Sequence, residues 1–390
     1  MKSAGLKPII GCEIYIAPRK MEDKEYGIDN NYFHMILLAK NLAGYRNLVK
    51  LVSAGHMEGF YYRPRVDVDT LKKYSEGLIA TSACLAGPVA QPLLNDDYKT
   101  AKKNAQTYSE IFKDHFYIEV QRNGMEEQNK VNEDLIKIAK ELNLPLVATC
   151  DAHYLNKEDA EIQEVLWCIS DGLTMDDPKR RRMPTNEFYV KTPEEMKELF
   201  SDLPEAIENT QKISDMVEEY DITFERVETK YLDLPKGETS KTYLRKLAYE
   251  GIKEKYPEVT EELTKRVDYE LELIDKKGYD DYFLVVRDFV QFCKREGIVV
   301  GMRGSGCGSV VAYAVGITNI EPISWELYFE RFLNPERPSP PDFDIDIADQ
   351  RRDEVIQYTI DKYGIDSVKQ IGTFSKLQTR QAIRDVARVI

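Results

Sequence analysis

Residues 341–347 read Pro341-Asp342-Phe343-Asp344-Ile345-Asp346-Ile347. In an extended segment successive side chains alternate faces, so Asp342, Asp344 and Asp346 crowd one side while Phe343, Ile345 and Ile347 turn to a core. Like charges at same-face positions repel, and a divalent cation removes the conflict. Two Mg2+ ions about 4 Å apart, held by carboxylates, are the apparatus of phosphoryl transfer. One activates an attacking hydroxyl and the other neutralises a leaving phosphate. The competing reading is an acidic strand facing solvent. Pro335, Pro338, Pro340 and Pro341 stiffen the approach and favour a positioned strand.

Upstream lies Gly301-Met302-Arg303-Gly304-Ser305-Gly306-Cys307-Gly308-Ser309, between a strand pattern and a helix pattern. Glycines let backbone N–H groups approach an anion, and the positive end of the following helix adds to the attraction. Neither the P-loop nor the dinucleotide spacing is present. Arg303 is a natural partner for phosphate oxygens, with Gly304 and Ser305 beside it. Arg331, in Phe329-Glu330-Arg331-Phe332, either reaches a triphosphate or pairs with Glu330 or Glu336. Lys376, Arg380, Arg384 and Arg388 recur every four residues, as a nucleic-acid footprint or a solvated face. The run Lys179-Arg180-Arg181-Arg182 reads as a solvated or backbone-touching patch.

The N-terminal half carries a second set. Asp151 and His153 follow an apolar strand two residues apart, which puts them on one face of a sheet edge. Glu13, His34 and Cys84 lie at or near strands of the same group. Carboxylate, imidazole and thiolate are all metal ligands, although each residue alone fits equally a packed or surface position. His56 and His115 have no evident partner.

The elements that must position these residues follow from hydrophobic period. Strands are predicted over 8–16, 33–39, 77–81, 116–120 and 145–149, with helices over 42–56, 98–113 and 126–142 between them. This alternation predicts an α/β layer or barrel with parallel strands. Residues 156–295 are mainly helical, with Pro193 opening one helix and further helices over 240–256, 260–277 and 279–296. Phe283, Val286, Phe289 and Phe292 form the inward face of the last. Beyond it come a strand over 298–301, helices over 308–315 and 325–333, and a strand over 342–347. A helix over 351–363, a strand over 368–374 and a terminal helix over 376–390 complete the pattern. The domain boundary is placed near residue 215.

With 390 residues and 42% hydrophobic composition, the chain can bury two or three cores and is not disordered. Its net charge of −14 excludes a general polyanion binder acting through its overall field, though not a local basic face. No apolar run suits a membrane span or a signal peptide. Six cysteines without a CxxC pair suit a reducing cytoplasm. The sequence stops inside a helix without a cap, as a fragment would.

Gly304-Ser305, FERFLNPER, PDFDIDI and the terminal IRDVARV together resemble the replicative C-family DNA polymerases of bacteria, through essentially the whole chain. The resemblance implies an incomplete β/α barrel of the polymerase-and-histidinol-phosphatase (PHP) type, with a helical connector, over residues 1–215. It implies the first part of a polymerase-β-like palm over 216–374 and the start of a thumb over 375–390. Asp342 and Asp344 would hold the catalytic Mg2+, with Asp346 in support. Arg303, Gly304, Ser305 and Arg331 would bind the nucleotide, and Lys376, Arg380, Arg384 and Arg388 would contact DNA. Glu13, His34, Cys84, Asp151 and His153 match the later half of a PHP metal cluster for Zn2+ or Mn2+.

Three departures accompany the match. The family's opening His-x-His strand precedes the residues seen here, and its third catalytic carboxylate falls beyond residue 390. The glycine turn is one residue shorter than Gly-Pro-Gly-Arg-Gly-Ser. The implied function is DNA synthesis from dNTPs on primer–template DNA, with this piece inactive alone. Sliding clamp, clamp loader and other replisome subunits would bind elsewhere, and no membrane is involved. The alternatives are a PHP-type metal-dependent phosphoesterase, a small-molecule nucleotidyltransferase and a non-catalytic scaffold.

Overall fold

Strands Gly11–Ile16 (β1) and Phe33–Ala39 (β2) alternate buried with more exposed positions, so each offers one face to a core. They pair antiparallel, with Glu13 opposite Ile36 and Tyr15 opposite His34. The computed structural model describes residues 2–223, 229–336 and 341–390. They divide into two compact units, one ending at residue 223 but including 376–390, the other ending at residue 375.

In the first unit β1 and β2 join β3 (Phe60–Tyr61), β4 (Arg63–Val66), β5 (Leu78–Thr81), β6 (Phe116–Gln121) and β7 (Leu146–Thr149). The seven-stranded sheet has the order β3-β4-β1-β2-β5-β6-β7. β4 is parallel to β1, and β5, β6 and β7 are parallel to one another. β2, however, runs antiparallel to both its neighbours, so the expected all-parallel pairing holds only in part. The reason lies in residues 17–32, which contain no helix to carry a parallel crossover. That link folds around Arg65, which is wholly buried and donates to the carbonyls of Asp29, Met21 and Asp23.

Helices α1 (Leu42–Met57), α2 (Val68–Lys73), α3 (Ala90–Leu94), α4 (Tyr98–Phe112) and α5 (Glu126–Leu142) alternate with the strands. The apolar stripe of α5 buries Val131, Leu135 and Ile138, and left-handed Asn143 ends it. The Asn41 side chain caps α1 by accepting from the Gly44 N–H at 3.1 Å. Gly44 is itself required, since a Cβ there would lie 1.9 Å from the Gly77 carbonyl oxygen. Then come α6 (Ala160–Asp171), α7 (Pro193–Leu199) and α8 (Pro204–Met216). Pro193 opens α7 as expected, and Thr192 and Glu195 form a capping box there. α8 falls within the stretch expected to be mainly helical, without bounds of its own in the sequence pattern. Its Asn209 side chain donates to the Leu146 carbonyl at 2.7 Å, which ties it to β7. Beyond α8, the Glu218 N–H donates to the Lys40 carbonyl at 2.8 Å, so the first unit runs past residue 215.

The second unit packs α9 (Ser240–Lys255), α10 (Glu261–Lys277) and α11 (Asp280–Arg295) with the antiparallel pair β8 (Val300–Arg303) and β9 (Asp344–Ile347). α12 (Val310–Ala314) and α13 (Arg352–Tyr363) complete it. Its core joins Leu244, Val267, Ile274, Phe283, Val311 and Phe332. Two expected elements are not formed. Residues 325–333 hold only a 3-10 turn, Phe329–Arg331, because Phe329 and Phe332 enter the core three residues apart. Residues 368–374 form no strand, and Ile371 and Phe374 are left exposed without a pairing partner among the described residues. The terminal helix α14 (Thr379–Val389) groups with the first unit, where the Met175 N–H donates to the Val389 carbonyl at 2.7 Å. No described helix is long and apolar enough to cross a membrane.

The contact at Gly44 is a sharp test of this packing. Gly44→Ala should cost about 1–3 kcal/mol in denaturant unfolding, by overpacking against Gly77. Gly372→Ala, where a Cβ meets nothing within 4 Å, should stay within about 0.5 kcal/mol of the parent.

Candidate functional site

The carboxylates of the second unit are placed by β8–β9. Asp344 pairs with Arg303 and Asp346 with Gly301, so both acids project from one face. Arg303 lies across them, its Nε 3.3 Å from Asp346 Oδ1 and its Nη1 3.7 Å from Asp344 Oδ2. On the opposite face Ile345 and Phe343 pack against the core, the Phe343 ring 4.8 Å from Phe332 and 5.0 Å from Phe283. Asp342 is exposed and precedes β9, which begins two residues later than expected. Tyr282 replaces the missing ladder there, its hydroxyl accepting from the Phe343 N–H at 3.1 Å. Burial, and then the charges of Asp342 and Asp344, push the Tyr282 phenol up. Both acids therefore act on one hydroxyl, a neighbour that sequence patterning passed over.

The glycine turn stands against the same acids. Gly304 has φ +80°, and a Cβ on it would lie 2.6 Å from Asp344 Oδ2. Only glycine lets the backbone approach that closely in that conformation. Ser305 opens a short 3-10 turn, Ser305–Gly308. The expectation that the next helix offers a free positive end is not met, because the Glu270 carboxylate already accepts from the N–H groups of Val310 and Val311, each at 3.0 Å. Arg331 is exposed at the end of its 3-10 turn. Glu330 beside it is engaged by the Tyr269 hydroxyl. Pro338 and Pro340 lie outside the described residues.

In the first unit Glu13, Cys84 and Asp151 line a cavity of about 470 Å3, together with Thr81, Glu119 and Thr149. His34 joins them, its Nδ1 3.2 Å from Glu13 Oε1 and 3.7 Å from Cys84 Sγ. These contacts, Cys84 first and Glu13 second, raise the imidazole to about 10. The same pairing with His34 holds the Glu13 carboxyl below its usual range. Asp151 and His153 lie beyond the end of β7, so strand alternation does not place them. Asp151 instead adopts a left-handed conformation, φ +48°, and burial raises its carboxyl. His153 Nδ1 meets the Asp151 carbonyl at 2.7 Å and its ring stands edge-on to Phe188. The donor types suit a metal, yet no group of three or more acidic, histidine or cysteine side chains stands at metal-holding spacing among the described residues. Glu119, missed from sequence, is buried in the lining of this cavity, where the Gln121 amide donates to it at 2.8 Å and the Thr81 and Thr149 hydroxyls also donate. Its signal was a carboxylate inside an otherwise apolar strand.

Lys376, Arg380, Arg384 and Arg388 are all exposed on the terminal segment, and buried Val389 anchors its opposite side. Two of the four cations in the denser run at 179–182 are ion-paired: Arg180 with Glu164 at 2.5 Å and Arg181 with Asp171 at 2.8 Å. Arg181 also stacks on Trp167.

Residues 242–390 match the model of the bacterial DNA polymerase III alpha NTPase domain, and residues 1–123 match the PHP domain. The chain is 47% identical to the DNA polymerase III subunit alpha of Borreliella burgdorferi, over all of this chain and 34% of that protein. It is 41% identical to that of Thermus aquaticus, over 99% of this chain and 37% of the relative. For Treponema pallidum the identity is 44%, over 99% of this chain and 33% of the relative. The chain thus spans about a third of the length of the curated relatives it matches. With a PHP match at its start, the polymerase match across the unit bearing Gly304 and Asp344, and near-half identity throughout, the chain belongs to the bacterial DNA polymerase III alpha-subunit family.

Proposed function

We propose that the second unit carries part of the nucleotidyl-transfer site of a template-directed DNA polymerase, joining dNTPs to a primer 3′-hydroxyl. The observation that carries this reading is the approach of the Gly304 backbone to Asp344, in a cradle that a Cβ would fill. Mg2+ fits there: it is held by one or two carboxylates completed by substrate phosphates. Asp342 and Asp344 would hold it, with Asp346 beside them. Bound there, Mg2+ would supply the charge neutralisation that phosphoryl transfer needs. Arg303, on this reading, exchanges its carboxylate partners for phosphate oxygens, while Gly304 and Ser305 offer backbone and hydroxyl donors. Arg331 is exposed and free to turn to the same triphosphate. The exposed arginines at 380, 384 and 388, with Lys376, would track the primer–template backbone.

This reading makes the second unit the opening part of a palm, with α14 and the preceding segment leading into a thumb. The first unit then corresponds to a PHP domain, its cavity framed by strands β1, β2, β5, β6 and β7. Its five candidate ligands do not gather as a Zn2+ or Mn2+ site requires, so no phosphoesterase step is derived for it. Clamp, clamp loader and other replisome contacts would lie on other segments, in a cytoplasmic assembly.

The purified chain should bind a fluorescent dATP analogue in a Mg2+-dependent manner. Asp344→Asn should weaken that binding about tenfold, near 1.4 kcal/mol, in an anisotropy titration. Absence of Mg2+-dependent binding by the parent chain would sink the assignment. On a primed template the 390-residue chain should incorporate no nucleotide by itself, and robust extension would show that its acids suffice without further carboxylates.

The first unit has a pH signature of its own. With its folded pKa raised to about 10, His34 contributes stability that is complete below its usual 6.5 and fades as the pH climbs towards 10. The gap in urea midpoint between the parent and His34→Gln should therefore close from pH 6 to pH 10. A gap independent of pH would refute the ionic pairing with Glu13.

A further inference from the structure

Glu270, on α10, has no exposed surface. Besides the Val310 and Val311 N–H groups, it accepts from Ser309 Oγ at 2.8 Å and from Arg266 Nε at 2.8 Å. Arg266, one helical turn earlier, donates through Nη2 to the carbonyls of Gly308 (3.1 Å) and Leu327 (3.4 Å). Ser309 Oγ in turn accepts from the Ala312 N–H at 3.0 Å. One turn of α10 therefore grips the end of the glycine turn, the start of α12 and the link that leads to Phe329–Arg331. That link passes so close that a Cβ on Gly308 would lie 2.6 Å from the Tyr328 carbonyl oxygen.

A buried ion pair is a poor way to gain stability, since packed apolar side chains of similar volume usually serve as well or better. What this pair supplies is geometry. Its donors and acceptors are directional, and they converge on backbone groups of three separate segments. It also has an electrostatic effect: a carboxylate on the first N–H groups of α12 occupies the place where a helix would attract an anion.

We propose that Arg266 and Glu270 are positioning residues that fix the glycine turn in front of Asp344 and, by filling the first N–H groups of α12, limit the contacts that this turn itself makes with a triphosphate to Arg303–Ser305. The second half rests on the nucleotide reading given above; the first does not. Neither residue touches the substrate. Both act through the backbone that carries Gly304, Ser305 and Arg331.

The test uses the 390-residue chain with Arg266→Lys and Glu270→Gln. Lysine keeps the charge but cannot fork to both carbonyls, and glutamine directs an N–H at a group that already donates. Amide hydrogen exchange should accelerate about tenfold or more at 304–311 and 327–331, with α9 and α11 unchanged. The Kd for the Mg2+-bound dATP analogue should rise about fivefold or more per folded molecule. Unchanged exchange at the turn, or acceleration spread evenly over the unit, overturns the positioning role. A loosened turn with an unaltered Kd overturns the confinement of the triphosphate. If the parent chain binds no triphosphate, the nucleotide reading fails and exchange alone judges the pair. If Glu270→Gln does not fold, Arg266→Lys decides.

Discussion

A short extended segment carrying three aspartates must answer its own repulsion, and the architecture around β9 is that answer. Arg303 lies opposite Asp344 in register and spans to Asp346, which makes the face tolerable without buried neutralisation. Phe343 and Ile345, anchored among Phe283, Phe332 and Tyr282, hold the backbone extended so that the acids cannot relax apart. Gly304 brings its backbone within reach of Asp344 because it has no side chain. Remove the apolar anchors and the acids would splay. Put a Cβ on Gly304 and either the Asp344 carboxylate must turn aside or the backbone, held at φ +80°, must move.

The first unit solves a related problem differently. Its strands β5 and β6 are buried on both faces, yet β6 carries Glu119 and Gln121. Their polar atoms are satisfied by Thr81, Thr149 and Gln128 from adjacent elements, so the cavity is a hydrogen-bonded chamber inside an apolar shell. Glu13 and His34 stand in its antiparallel region, where β2 interrupts the parallel order. The ion pair between them occupies the donor atoms that a metal would claim, so protonation and metal binding compete for the same lone pairs.

Periodic elements were legible in the sequence because a single side-chain pattern specifies them. β2 and α5 carry their full extents in apolar spacing, and Pro193 marks the start of α7. What escaped depends on partners distant in the chain. α8 lacks bounds of its own in the pattern, being polar along most of its length and held by Asn209 to Leu146, a contact no local window contains. Phe329 and Phe332 imitate a helical repeat, but their core admits a tighter turn. The acid face of β9 and its neighbouring glycine turn were readable from spacing alone. Glu270 was not: within α10 it is one of several acids on a charged helix, and only the α12 terminus it meets sets it apart.

Charge partnership, rather than charge count, separates the basic features of this acidic chain. With a net charge of −14, its field opposes a polyanion at a distance, so contact requires cations not already committed. Arg180 and Arg181 are committed, held by Glu164 and Asp171 in bidentate or closely packed geometry. Arg303 is committed only loosely, at 3.3 and 3.7 Å to exposed or half-exposed acids. A loose exposed pair is worth little, so a phosphate oxygen can displace its carboxylates at small cost. That difference separates Arg180 and Arg181, each held by its own acid, from Arg303, whose two aspartate contacts are loose enough for the exchange of partners proposed above.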